Sequence, residues 1–234
     1  RKNIIFHNYY FKKIKKHKNK LILDCSNGTK KKTFVTKKLV LGCGTLVTTK
    51  LIMDYLKIKD EVRINHHPRL FSLYISKKKW TSKMNFEPSH THIKRKKTPF
   101  LFTADFRPGN KIIVNAIIKF KRILKPIKFL INYFREYMIF SNIFYDSKYG
   151  NLFIKKRDKI YEIFSKEKNL EKTFKKTSKT VYQALLKAKK IYPIYYNHFP
   201  GFGADFHYFG TIPINSRKRL SVNEKCQLKN NKNI

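Results

Sequence analysis

The chain of 234 residues is 41% hydrophobic and 15% aromatic, a composition that excludes a wholly disordered protein and predicts a packed core. Lys and Arg number 54 against 14 Asp and Glu, which gives a net charge of +40 that attracts polyanions. The lysines are dispersed along the whole length, and the sequence contains no helix-turn-helix, zinc-finger, KH or RNP motif. We therefore expect no specific nucleic-acid partner.

The cysteine content indicates the cellular compartment, and the length of the apolar runs indicates whether the chain can span a membrane. Three cysteines lie far apart in the sequence, which argues against a disulfide framework and favours a reducing, cytoplasmic compartment. Lysine interrupts the apolar runs well short of the roughly 20 residues that a membrane span requires. We therefore expect no transmembrane segment.

The first 60 residues predict a hairpin, a strand and a helix in that order. Asn27 and Gly28 separate two β-branched runs, 21–23 and 33–35, and this pattern is typical of a hairpin turn. Residues 39–41 predict a buried strand. Apolar residues then recur at helix spacing from Leu46 to Leu56.

The turn before this helix is a candidate binding site. It contains Gly42 and Gly44, and the helix is expected to begin at Thr45. A helix start offers free N–H groups and a positive dipole end, which suit a phosphate or a ring carbonyl. The alternative is a plain strand-to-helix turn that needs glycine for its own backbone.

The middle of the chain predicts further strands and one loop. Apolar and polar residues alternate over 63–77, which predicts a strand, and residues 101–106 predict another strand. The polar stretch between them, 80–98, includes the basic run 94–97, which we expect to be a solvated loop. His90 and His92 have a spacing that a metal site on a strand could use, but no acidic or thiol partner is near, so we predict no metal.

Residues 110–140 carry apolar residues at helical spacing, with a break or kink at Pro126. We interpret them as core helices, although a basic amphipathic helix on an anionic membrane gives the same pattern. Beyond them, runs 143–145 and 152–154 predict a hairpin, 170–191 a polar-faced helix, and 193–203 an irregular aromatic loop.

The best candidate for chemistry is His207, which is followed by Gly210 and Thr211 in a stretch rich in glycine and aromatic residues. A neutral imidazole can take a proton from a substrate hydroxyl, and a glycine three residues later lets the backbone approach a planar cofactor. The alternative is a core histidine bonded to a backbone carbonyl beside a turn.

Four segments, in the same order, resemble the glucose-methanol-choline (GMC) oxidoreductases, flavoenzymes that oxidise alcohols. They are the apolar run with its Gly-x-Gly turn at 38–53, Asn65-His66-His67-Pro68, the His-x-x-Gly-Thr run at 207–211, and the tail 219–234. The chain departs from the family pattern at Thr49, where Pro or Ser is usual, and at His66, which replaces an acid.

The resemblance implies FAD as cofactor and a CH–OH donor, an alcohol or a carbohydrate-like substrate, as the reductant. It implies that hydride passes to the flavin while His207 acts as the base. It also implies cofactor contacts from five residues: Gly42, Gly44, Thr45, Gly210 and Thr211.

The fold implied is α+β. An antiparallel or mixed sheet with helices on one face forms a substrate-binding domain at 61–205, and residues 1–60 are the remnant of an α/β FAD-binding domain to which 206–234 return. Because the family's Gly-x-Gly-x-x-Gly fingerprint and its last conserved strand are missing, we expect a fragment that is inactive in isolation. The alternative is a basic protein that binds nucleic acid or an anionic membrane surface.

Overall fold

The computed structural model describes residues 4–80, 91–95, 102–109, 111–120, 123, 125–167, 170–201, 203, 207–229 and 231–234. The fold is α+β, with three antiparallel sheets. The chain divides into two compact units, of which the first comprises 1–65, 153–164 and 208–234 and the second comprises 66–152 and 165–207.

The first unit opens with a three-stranded antiparallel sheet. Its strands are β1 (Tyr10–His17), β2 (Lys20–Ser26) and β3 (Lys31–Thr36), in that order. The predicted hairpin is confirmed, because β2 pairs with β3 from Leu21 opposite Thr36 to Ser26 opposite Lys31. The Asn27 side chain closes the turn by accepting the Lys30 N–H at 2.8 Å.

Helix α1 (Thr45–Leu56) begins at the predicted residue and covers this sheet. Its buried face consists of residues at helical spacing: Thr49, Leu51, Ile52, Met53 and Leu56. The leucines and Ile52 pack against Ile14 and Leu21 of the sheet and against Leu220 and Leu228 of the C-terminal segment. The amphipathic pattern of the sequence is therefore satisfied by contacts from both ends of the chain.

The strand predicted at 39–41 is wrong. Val40 is 93% exposed, and only Leu39 and Leu41 pack against the core of the first unit. The backbone of this segment runs beside the C-terminus, where the Leu39 N–H donates to the Asn233 carbonyl at 2.8 Å. Three successive apolar residues predict a strand that is buried on both faces, but the side that carries Val40 is open to solvent.

A second small sheet has the order β10-β9-β4. Its strands are β4 (Val62–Asn65), β9 (Asn151–Arg157) and β10 (Ile160–Ser165). The single strand predicted over 63–77 is therefore wrong, since it is two strands that belong to different sheets. The division falls at His66–Pro68, where Pro68 has no N–H to continue a ladder.

The second unit is built on a five-stranded antiparallel sheet with the order β11-β5-β8-β7-β6. Its strands are β5 (Arg69–Ser76), β6 (Thr91–Arg95), β7 (Phe102–Pro108), β8 (Met138–Tyr145) and β11 (Ile191–His198). Helix α4 (Leu170–Lys187) packs on β5 and β11 and adds Phe174 and Val181 to the core.

Between β7 and β8 lie two short helices, α2 (Lys111–Phe120) and α3 (Lys128–Phe134). The predicted break at Pro126 is confirmed, because a turn at 125–127 separates them. The helical prediction for 138–140 is wrong, since these residues begin β8. The core prediction holds for α2, in which Val114 and Ile118 are buried, but it is wrong for α3, which has no buried residue.

Three further predictions about strands and loops are wrong. Residues 143–145 and 152–154 form no hairpin: β8 lies between β5 and β7, and β9 pairs in the other sheet. The loop predicted at 193–203 is a strand as far as His198, and Lys94 and Arg95 belong to β6 rather than to a solvated loop. His90 lies outside the described residues.

Candidate functional site

The start of α1 lies against residues 208–211 in the first unit. Gly44 is the N-cap residue with φ of 76°, a left-handed conformation that favours glycine, and no side chain caps the helix. The Thr45 hydroxyl donates to the Tyr208 carbonyl at 2.6 Å across 163 residues of sequence. The first turn carries no acidic residue, so its N–H groups stay suited to an anion or a carbonyl.

A buried pair of threonines joins the same two segments one turn further along α1. The Thr49 hydroxyl donates to the Thr45 carbonyl at 2.6 Å, and the Thr211 hydroxyl lies 2.6 Å from the Thr49 oxygen. Because the Thr49 hydroxyl has a single proton, Thr211 is the donor within the pair. Thr49 is fully buried and Thr211 is 5% exposed, so both hydroxyls depend on this arrangement.

Residues 208–211 also contact the end of β4. Asn65 and Phe209 exchange two backbone hydrogen bonds, each 2.9 Å long. Gly210 has φ of 69°, and a Cβ at this position would collide with the Asn65 side chain. The positive φ therefore favours glycine at 210, and a Cβ there would also require the Asn65 amide to move aside.

The C-terminal segment completes this neighbourhood. Leu220 and Leu228 are buried against α1, and the Asn231 amide donates to the Tyr55 hydroxyl at 2.8 Å. The segments 38–53, 208–211 and 219–234 and the residue Asn65, all singled out in the sequence, thus come together in one unit.

The predicted site residues have different surroundings. Gly42 and Gly44 are exposed, and among the described residues, apart from each glycine and its two chain neighbours, none has a heavy atom within 4 Å of where a Cβ would stand on either. Thr45, Gly210 and Thr211 lie in the contacts described above. His207, the residue before Tyr208, is exposed, so it is not a core histidine.

One charged cluster in the first unit was missed by sequence reasoning. Asp54 on α1 accepts hydrogen bonds from the Lys156 ammonium and from the Tyr161 hydroxyl, the latter at 2.7 Å. Burial alone would raise the pKa of Asp54, but these hydrogen bonds and the charges of Lys156 and Lys50 hold it below its usual value. Burial and the neighbouring carboxylate raise the pKa of Tyr161.

Asn65 and Tyr208 are further contacts that the sequence did not indicate. Asn65 was noted only as the first residue of a family-like segment, and Tyr208 contributes its carbonyl group, which carries no side-chain signature. Among the residues that the structure describes, no group of three or more His, Cys, Asp or Glu side chains could hold a metal ion. Within the same residues, every helix is too short or too polar to cross a membrane.

No protein-family model matches the chain, and no curated protein matches it. What this site can do chemically therefore has to be argued from its residues. Within the first unit it offers N–H donors at a helix start and two glycines with open space beside them.

Proposed function

We propose that this chain is part of an FAD-dependent oxidoreductase that acts on the CH–OH group of an alcohol or a carbohydrate-like substrate, as its resemblance to the GMC oxidoreductases implies. The first unit would then belong to the FAD-binding domain. The second unit, with α4 on its five-stranded sheet, would bind the substrate. We propose a cytoplasmic location for the enzyme.

One observation carries the proposal. Hydrogen bonds that span more than 160 positions of sequence join two of the segments that resemble the family, 38–53 and 207–211, at the start of α1. Short motifs that match by chance have no reason to be neighbours in space. Their contact supports the interpretation that they build one site.

The residues present fit a flavin nucleotide on its phosphate or ring-carbonyl side. Uncapped N–H groups in the first turn of α1 can donate to an oxygen, and the open space beside Gly42 and Gly44 lets that oxygen approach the backbone. Thr45 has its hydroxyl committed to Tyr208, so it would contribute its backbone N–H. Gly210 and Thr211 hold the neighbouring segment in place through Asn65 and Thr49.

His207 is the residue that we assign as the base. A ring nitrogen of an exposed imidazole can accept the hydroxyl proton of the substrate, which prepares the carbinol carbon to lose hydride. FAD, when bound, supplies the acceptor for that hydride. The Thr45 hydroxyl holds the carbonyl of Tyr208, the residue that follows His207 in the sequence.

The test uses the protein expressed from its complete reading frame. We expect it to be purified with flavin, and we expect His207→Ala to keep the flavin while turnover of CH–OH substrates falls roughly 10²–10⁴-fold, the usual effect of losing a general base. Flavin content is measured by visible absorbance after release from the protein, and turnover by reduction of an artificial electron acceptor.

Two matched variants separate the roles of the residues. His17→Ala removes another exposed histidine and should leave both readouts unchanged. Gly44→Val should lower flavin occupancy first, because a branched side chain strains the left-handed N-cap and fills the open space. A protein without flavin would refute the proposal, whereas loss of flavin in His207→Ala would refute only the assignment of the base.

A further inference from the structure

Helix α3 exposes an unusual number of large apolar side chains. Phe129 is 69% exposed and Tyr133 is 79% exposed, while Ile127, Leu130 and Phe134 are each between 42% and 45% exposed. We call these five residues the α3 patch. Soluble surfaces carry isolated apolar residues commonly, but a contiguous group of this kind marks an interaction site.

The five residues form one continuous face. Phe129 and Tyr133 are four residues apart, and Leu130 lies three residues after Ile127 and four before Phe134, spacings that place neighbours on the same side of a helix. The rings of Tyr133 and Phe134 contact each other edge to face, with centroids 5.1 Å apart. The patch is therefore an apolar face of α3 and its N-cap, directed away from the core.

The charge around the patch indicates what it contacts. Residues 106–135 contain eight Lys and Arg and no Asp or Glu. Lys125 and Lys128 are exposed on the same short segment as the patch. A second copy of a chain with a net charge of +40 would place like charges against each other, which opposes self-association through this face.

Apolar and aromatic side chains on a segment with a strong excess of cations suit the boundary of an anionic bilayer, although Glu136, which pairs with Arg135, follows the patch. There, rings and aliphatic side chains enter between the acyl chains while ammonium groups meet lipid phosphates. Helix α3 spans seven residues, or about 10 Å at 1.5 Å per residue, so it can lie on a bilayer but cannot cross one.

We propose that the α3 patch binds the surface of an anionic membrane, with Phe129 and Tyr133 inserted furthest and with Lys125 and Lys128 at the lipid phosphates. This site is independent of the flavin chemistry proposed above. Its effect is to hold the second unit at a lipid surface through one short segment.

Vesicle flotation tests the proposal with the 234-residue chain. The protein should float with vesicles of phosphatidylcholine mixed with phosphatidylglycerol and should float less with phosphatidylcholine alone. Phe129→Ser/Tyr133→Ser should lower the partition coefficient on the anionic vesicles by about tenfold or more, because two aromatic side chains no longer enter the interface. Circular dichroism should show the fold unchanged, since both side chains are exposed.

Matched variants distinguish the patch from the general positive charge of the protein. Phe6→Ser removes an aromatic side chain that is 91% exposed elsewhere, and it should leave the partition coefficient unchanged. Lys125→Gln/Lys128→Gln should weaken binding, whereas Lys59→Gln/Lys225→Gln, two exposed lysines far along the chain, should weaken it less.

Two results would overturn the proposal. Equal flotation of wild type and Phe129→Ser/Tyr133→Ser would show that the bulk charge alone binds the lipid. A concentration-dependent dimer in sedimentation that this double substitution abolishes, with no flotation of wild type, would identify a second copy of the chain as the occupant of the patch.

Discussion

The pair formed by Thr49 and Thr211 makes a prediction in which the order of three variants is fixed by the hydrogen bonds. Thr49→Val keeps the shape of the side chain but removes the acceptor of the Thr211 hydroxyl, which is only 5% exposed. Burying a hydroxyl without its partner costs about 1–3 kcal/mol. We expect Thr49→Val to lower the free energy of unfolding of the first unit by that amount.

Thr211→Val should cost less. The Thr49 hydroxyl still donates its proton to the Thr45 carbonyl, so the change removes one hydrogen bond and leaves no buried donor without an acceptor. The cost of such a loss is about 0.5–1.5 kcal/mol. The double variant Thr49→Val/Thr211→Val removes both hydroxyls, and we expect it to be more stable than Thr49→Val alone, because two apolar groups then face each other.

Urea titrations followed by far-UV circular dichroism give the free energy from the midpoint and the slope. Thr180→Val in α4 controls for the change of residue type, because its hydroxyl makes a local, solvent-exposed contact of 3.4 Å with the Lys176 carbonyl. If the double variant were less stable than Thr49→Val, the two hydroxyls would be uncoupled. The hydrogen-bonding scheme across α1 and residues 208–211 would then be wrong.

Two other predictions concern the first unit. Gly210→Ala should destabilise it by about 2 kcal/mol or more, because an alanine strains the left-handed backbone and its Cβ collides with the Asn65 side chain. Adding Asn65→Ala should recover the part of this cost that comes from the collision. If stability does not recover, the collision with Asn65 does not contribute to the cost. Asp54→Asn should cost less than about 1 kcal/mol near neutral pH, since the carboxylate is partly exposed. Because the folded-state pKa of Asp54 is lowered, its contribution is present above the unfolded-state pKa and is lost as the pH falls below about 4, so denaturation curves of wild type and variant should converge there.

Features that depend on a few neighbouring residues could be predicted from the sequence. The hairpin at Asn27, the start of α1 after Gly44 and the break at Pro126 each follow from the backbone preferences of the residues at that point. Such preferences act within a turn, so a single sequence is enough to express them.

Features that depend on distant partners could not be predicted. The runs 143–145 and 152–154 resemble the two strands of a hairpin. The first run belongs to β8, however, and β8 pairs with β5 and β7, which lie far away in the sequence. Pro193 and the aromatic residues around it suggested a loop, yet β11 is an edge strand, where a proline is tolerated, and its register with β5 shifts between Ile191 and Tyr195. An alternating pattern of apolar and polar residues indicates which face of a strand is buried, but it does not indicate which strand pairs with it.

The candidate site has the same division between local and distant information. Gly44 and Gly210 could be singled out because glycine is the residue that adopts their positive φ without strain. The contacts of Thr49 and Asn65 could not be predicted, since their partners, Thr211 and Phe209, lie more than 140 positions later in the sequence. A resemblance carried by short motifs therefore becomes an argument about function only when the motifs are neighbours in space, and the Thr49–Thr211 variants measure whether that neighbourhood is held together as described.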